Sequence, residues 1–327
     1  MPEWLIERGI GETRAALVEG GEIIEARVEL DGAVPAGTIF DAQLVDVGRG
    51  GRNAVTRDDG GREYLLPNGT GAATQGSTVR IEVVRPAIPG GEHWKRPLAR
   101  VTDRERRRPT SLAERLRSTG LPVRELAFPG ARDELGDAGW GELMEQAASG
   151  IVDFAGGSLG IFATPAMSLI DVDGWGEPGE LAIAGAAEAA RAVRRLTITG
   201  SIGIDLPTAP GKAARQSAAT AIDDNLPQPF ERTAVNGFGF VQIVRPRTGP
   251  SLIELWSDRA AAEARALLRR AGLEPPGPKR LVAHPAVIAV LDRHPDWTEA
   301  LARQVGGAIA LRPKAKLPIS GGHAEQG

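Results

Sequence analysis

Apolar and polar residues alternate along positions 3 to 30, EWLIERGIGETRAALVEGGEIIEARVEL, and the run breaks at the turn EGGE. A period of two interrupted by a glycine turn predicts a β-meander. From about 33 to 105 the alternation continues in short glycine-broken stretches: GTIFDAQLVDV, NAVTRDDGGREYLLP, GSTVRIEVVRPAIP and WKRPLARVT. Strands this short and this evenly spaced predict a small closed barrel such as an OB-fold. A β-sandwich and an SH3-like barrel remain open on strand count alone.

The pattern then changes period. Residues 108 to 150 read as helix and loop, TSLAERLRSTG having a Thr/Ser start and a Gly stop. SLGIFAT and MSLIDVD, joined through PA, predict an antiparallel pair. ELAIAGAAEAARAVRRL (180 to 196) is an Ala-rich helix with Arg191, Arg194 and Arg195 in its last turns. GSIGID follows as a strand, GKAARQSAATAIDDNL as a helix and GFGFVQIVRP as a strand, an alternation that makes a layered α/β domain. A last helix, SDRAAAEARALLRRAG, leads through LEPPGPKR to a small α/β tail. The end, ISGGHAEQG, reads as a frayed terminus.

At 327 residues the chain is long enough for two or three domains. No window approaches a membrane span, and MPEWLIERGIGE carries acids where a signal peptide has a basic start, which predicts a cytoplasmic protein. With no cysteine and four scattered His, disulfides and Cys-ligated zinc are excluded, so any metal is expected to be held by oxygen. The net charge of -3 does not mark a nucleic-acid binder. Basic residues concentrate locally instead, in RERRRPTSLAERLR (104 to 117) and at Arg245 and Arg247; the plain reading of the first stretch is a solvated helix face.

Candidate chemistry centres on aspartates. In SLIDVD, alternation puts Leu169, Asp171 and Asp173 on one face. Asp205 in SIGID shares its face with the small Gly203 and Ser201, leaving space beside the acid. A helix between the two strands would make them parallel neighbours, with Asp171 and Asp205 at the same carboxyl edge, where ligands of α/β sheets collect. Two carboxylates suit Mg²⁺, which takes its remaining ligands from water and phosphate. The alternative is that each aspartate caps a turn.

GGSLGIFATPAMSLIDVDG, the helix with Arg191 and Arg194, GSIGIDLP and GFGFVQIVRPRTGPSL occur in the order of the catalytic core of the ribonuclease E/G family, which the chain resembles. WLIERGIGETRAALVEGGEIIEARVE is similar to that family's first strands, and HPAVIAVL with ALRPKAKLPISGG to its C-terminal domain. The resemblance implies an α+β multidomain chain. Residues 1–32 would pack with 106–150 as a reduced ribonuclease H-like region, and 33–105 would form an OB-fold-like RNA-binding barrel. Residues 151–256 would form a deoxyribonuclease I-like core, and 257–327 a helix, linker and small C-terminal domain.

The implied activity is Mg²⁺-dependent endonucleolytic cutting of single-stranded RNA by metal-activated water, leaving 5′-phosphate and 3′-hydroxyl ends; Mn²⁺ can substitute. Asp171 and Asp205 would hold the metal, and Asp173, where the family has Asn, would tune or extend the shell. Arg245, Arg247, Lys95 (in HWKRP), Arg191 and Arg194 would face substrate. The chain departs from the family in three further ways. The region holding the 5′-end sensor is reduced, so cutting without 5′-end sensing is expected. The barrel has Ala54 and Leu65 where stacking aromatics belong, leaving Tyr64, whose expected place is the core. The zinc-link cysteines are absent, so no zinc is expected and a homodimer would form by packing alone. The rival expectation is a catalytically weak or inactive RNA-binding protein of the same fold.

Overall fold

The computed structural model describes residues 1–89, 95–209 and 211–327. His93 and Trp94 of HWKRP lie outside the described residues. In chain order the elements begin β1 (Glu3–Arg8), β2 (Glu12–Glu19), β3 (Glu22–Leu30), β4 (Ile39–Asp46), β5 (Ala54–Arg57), β6 (Glu63–Leu66), β7 (Thr78–Arg85) and β8 (Leu98–Val101). Then come α1 (Leu112–Arg117), β9 (Val123–Leu126), α2 (Glu134–Asp137), α3 (Trp140–Ser149), β10 (Ile151–Phe154), β11 (Gly157–Ala163), β12 (Ser168–Gly174), α4 (Pro178–Arg195), β13 (Gly200–Asp205) and α5 (Gly211–Asn225). The chain ends with β14 (Glu231–Arg232), β15 (Phe240–Arg245), α6 (Leu252–Trp256), α7 (Arg259–Leu273), β16 (Lys279–Ala283), α8 (Pro285–Arg293), α9 (Pro295–Val305), β17 (Ile309–Pro313) and β18 (His323–Gln326). The fold is mixed α and β, as the changing periodicity predicts, and divides into two compact units: residues 1–31, 116–149 and 255–327, and residues 32–115 with 150–254.

In the first unit the meander β1–β2–β3 gains β9 as a parallel neighbour of β1, giving the order β3-β2-β1-β9. Its polar interior is an ion network. Arg269 of α7 is bidentate to Glu7 of β1, at 2.8 and 2.9 Å, and also reaches Asp133 at 2.5 Å. Arg14 joins Glu7 to Glu12 at 2.8 Å each, and Arg265 closes on Glu12 at 2.6 Å. Buried charges persist only when paired, and here three arginines meet three carboxylates. A second sheet, β17-β16-β18, packs with α7, α8 and α9 around Leu267, Leu281, Val287, Leu291 and Leu301. The expectation of a frayed end is corrected: His323–Gln326 is a strand paired antiparallel to β16, and the Gly327 amide donates to the Pro278 carbonyl at 2.9 Å. A terminus tied into a ladder by its main chain stays in place whatever its side chains.

The second unit contains a closed five-stranded barrel, β4-β5-β6-β8-β7. Its core is small and tight, built on Ala42, Leu44, Ala54, Tyr64, Leu66, Ile81, Val83 and Ala99. The same unit holds the six-stranded sheet β10-β11-β12-β13-β15-β14. One face of that sheet is apolar: Leu159, Ile161, Ile170, Val172, Ile202, Ile204, Val241 and Ile243 are buried. Helix α4 covers them closely. A Cβ on Gly185 would come within 2.3 Å of Val172 Cγ1, so only glycine allows this approach of helix to strand. Helix α5 packs along α4, leaving the other face of the sheet open.

Candidate functional site

The open face is read directly from strand alternation. On β12, Ile170 and Val172 are buried while Leu169, Asp171 and Asp173 are exposed. Strand β13 runs parallel beside it with Leu169 opposite Gly203 and Asp171 opposite Asp205. The two aspartates therefore sit on adjacent strands, on the same face, one strand spacing apart, roughly 5 Å between main chains. The expected pairing of the strands holds, with one refinement. Asp205 ends β13, whereas Asp171 lies inside β12, three residues before its end at Gly174.

The charges on this face act on one another. Burial raises the Asp171 carboxyl above the ordinary aspartate value, and the negative charges of Asp173 and then Asp205 push it further in the same direction. Like charges facing each other without a neutralising partner form a site that favours a cation. Among the described residues, no group of three or more His, Asp or Glu side chains is placed to hold a metal ion. Asp173 thus acts on Asp171 through its charge. It stands two residues along the strand, opposite Ser158 of β11, instead of converging on the pair.

The expected substrate arginines lie away from the aspartate pair. Arg245 pairs with Gly200, at the opposite end of β13 from Asp205, five residues or roughly 17 Å away. Alternation puts it on the helix-covered face with Val241 and Ile243, where its Nη1 donates to the carbonyl of Ile198 at 3.1 Å. Arg247 lies beside Gly200 and pairs with Glu254. Arg191 bonds Glu188 and Asn225, at 2.8 and 3.0 Å, and Arg194 follows in the last turn of α4. A helix that connects two parallel strands brings its C-terminus to the start of the second strand, so an arginine cluster in its last turns is carried to the far end of the sheet.

Lys95 meets the same sheet at the turn that enters β12, six residues before Asp171. Its Nζ donates to the Pro165 carbonyl at 3.4 Å, in the turn that enters β12. Sequence reasoning passed over two further cations. Lys212 and Arg215 lie in the first two turns of α5, the helix that begins at the Asp205 end of the sheet. The signal was a strand-closing aspartate followed within ten residues by a basic helix start.

On the barrel, each of three carboxylates is shared by two arginines: Asp41 by Arg80 (2.8 Å) and Arg106 (2.5 Å), Glu63 by Arg57 (2.8 Å) and Arg96 (2.7 Å), and Glu82 by Arg100 (2.8 Å) and Arg104 (3.3 Å). Hydrogen bonds from Arg80 and Arg106 hold the Asp41 carboxyl down at about 2. Each trio keeps one positive charge in excess on an exposed surface. Tyr64 is completely buried, as expected of a core residue, with its hydroxyl donating to Asp58 at 3.0 Å and its ring edge-on to Phe40 at 5.3 Å.

The donor chemistry at Asp171 and Asp205 fits a hard divalent cation: two exposed carboxylates on neighbouring strands. The space expected beside Asp205 at Gly203 is taken instead by the Phe240 ring and Leu169. No helix among the described residues is long and apolar enough to cross a membrane. In comparisons with known proteins, no family model matches the chain and no curated protein sequence matches it.

Proposed function

We propose that this protein is a Mg²⁺-dependent endoribonuclease of the ribonuclease E/G type, cutting single-stranded RNA at a deoxyribonuclease I-like core. The single observation that carries the reading is the cross-strand register of Asp171 with Asp205 on an open sheet face, where their charges and that of Asp173 repel. Asp171 and Asp205 would hold Mg²⁺, which supplies charge neutralisation and Lewis acidity for in-line displacement at a phosphodiester. Asp173 raises the negative potential that draws the cation in. Lys212 and Arg215 bring positive charge to the Asp205 end, where phosphate oxygens of the cut strand would lie. Hydrolysis adds the oxygen of water to phosphorus and breaks the bond to O3′, which leaves with a proton, giving 5′-phosphate and 3′-hydroxyl ends.

The barrel supports an RNA partner. Its strand order, with the third and fifth strands parallel, is that of an OB-fold, and its arginine trios offer net positive charge to a phosphate backbone. In the test, a labelled unpaired RNA is incubated with the full chain, with and without Mg²⁺, and with Asp205→Asn. The parent chain should yield discrete fragments only with Mg²⁺. The variant should yield none while keeping its circular dichroism and melting temperature; equal cutting by the variant would refute the site.

One observation favours a second reading, an RNA-binding protein without turnover. Arg245 and Arg247, expected to hold the scissile phosphate, lie at the far end of the sheet. RNA retention with no fragments in the same assay would establish it.

A further inference from the structure

Around the aspartate pair the four strands β11, β12, β13 and β15 lie side by side, with the acids on the inner two and aromatic residues on the outer two. Phe162 on β11 is the cross-strand partner of Leu169, two residues along from the position opposite Asp171. Phe240 on β15 is the partner of Asp205. Phe238 precedes it by two residues, roughly 7 Å of chain. Phe162 is 57% exposed and Phe238 84% exposed.

Part of this has a purely structural cause. Glycine in a strand leaves a gap that a neighbouring ring fills. A Cβ on Gly160 would meet the Phe162 ring at 3.0 Å and Asp171 Cβ at 4.0 Å, so the ring lies over Gly160 beside Asp171. A Cβ on Gly203 would meet the Phe240 ring at 2.7 Å, so that ring lies over Gly203. Gap filling accounts for the half-buried Phe240, but leaves most of Phe162 in water and does not account for Phe238.

The turn that carries Phe238 is firmly built. Asn236 Oδ1 accepts from the amides of Phe238 and Phe240, at 2.9 and 3.1 Å. Gly239 has φ +92°, and a Cβ there would lie 2.1 Å from the Leu206 carbonyl oxygen. The Leu206 amide donates to the Gly239 carbonyl at 3.3 Å, and Thr208 Oγ1 donates to the Phe238 carbonyl at 3.3 Å. The turn is thus clamped to the residues that follow Asp205, while its ring stands in water. Apolar rings left exposed on the strands flanking a candidate site mark a binding surface.

We propose that Phe162 and Phe238 are nucleobase-stacking residues flanking the aspartate pair, one on each side, so that the site takes an unpaired strand with a base laid on each ring; this rests on the reading of the pair as a nuclease site. Bases of a duplex are already stacked on one another and cannot lie on a side chain, whereas splayed bases of a single strand can. The site is continuous with the carboxylates, so a strand seated on the rings passes its phosphates over the cation that the acids favour. The stacking aromatics that the barrel lacks would thereby be supplied by the sheet that carries the aspartates.

The test uses the full chain with Asp205→Asn, to prevent cutting, and an unpaired RNA containing 2-aminopurine, whose fluorescence is quenched when it stacks. Binding should quench the probe. Adding Phe238→Ala should weaken binding by roughly five- to a hundredfold, as loss of one stacked base implies, and reduce the quench. Phe162→Ala should act likewise, and Phe238→Trp should retain both signals. Unchanged affinity and quench in both alanine variants, or no RNA binding at all, would overturn the proposal. So would light scattering in which Phe238→Ala dissociates a dimer without affecting RNA affinity, since the rings would then be a subunit contact. Cutting by the parent chain is scored separately: a chain that cuts but ignores both rings refutes only the platform, and one that binds through the rings without cutting refutes only the nuclease.

Discussion

Asp173→Asn isolates the acid that stands beside the pair on the same strand and face. Asp173 stands two residues from Asp171 on the same face of β12, roughly 7 Å away. Both side chains are exposed, so a dielectric close to that of water applies; at that separation two unit charges interact by about 0.6 kcal/mol, and a divalent cation near Asp171 gains about twice that from Asp173. Removing the charge should therefore weaken the divalent ion by about eightfold, or somewhat more where the sheet excludes water. It should also move the Asp171 carboxyl back toward its ordinary value, since Asp173 is the largest of the charges that raise it after burial itself. The assay is Mn²⁺ titration of the RNA-free protein followed by electron paramagnetic resonance, which reads the free ion without needing turnover. Equal or tighter Mn²⁺ binding by Asp173→Asn would refute the electrostatic account of this residue, and with it the claim that mutual repulsion of the acids creates the cation site.

Two further outcomes follow from the rest of the chain. Arg269 is 9% exposed and holds Glu7 and Asp133 together in the first unit, so Arg269→Met should leave Glu7 to Arg14 alone, remove the guanidinium between the two acids and cost about 3 kcal/mol in urea unfolding; a loss below about 1 kcal/mol would contradict the network's role. Tyr64 is the sole tyrosine of the chain, and burial, then its bond to Asp58, push its hydroxyl up to about 12 from 10.0. The folded state thus prefers the neutral phenol: this contribution to stability is complete below pH 10 and is lost as pH rises toward 12. Absorbance at the tyrosinate band, which reads Tyr64 alone, should show a midpoint well above that of free tyrosine while the fold persists. Titration at the ordinary value in the folded protein would place the ring in water.

The sheet was legible in the sequence because its signals are local. Alternation in SLIDVD fixes which residues share a face, and a helix between two strands makes parallel neighbours, so Asp171 and Asp205 could be brought together without knowledge of any distant contact. The closed barrel was legible for the same reason. The fate of Arg245 was not, although the information was partly present: it shares parity with Val241 and Ile243, which are buried, and alternation alone sends it to the covered face. Its expected place came from the resemblance and not from its register, whereas in the fold its Nη1 donates to the carbonyls of Val193 and Ile198. The C-terminal strand was hidden for a different reason. HAEQ carries no apolar alternation, and its order comes from main-chain hydrogen bonds to β16, which any sequence can make.

The distribution of charge on the open face sets an order of events for the proposed reaction. Among the described residues, its strand positions carry Asp153, Asp171, Asp173, Asp205 and Glu231, and neither Lys nor Arg. A polyanion approaching that face alone is repelled. The positive charge available to it lies at the margins, on the barrel trios and at the start of α5, while the rings of Phe162 and Phe238 supply attraction that does not depend on charge. A strand can thus be held by its backbone away from the acids and by its bases beside them, but its phosphate reaches Asp171 and Asp205 only once a cation has neutralised them. Divalent ion first and phosphate second is the order this surface would impose on the proposed reaction: without the ion, the acids repel a phosphate backbone.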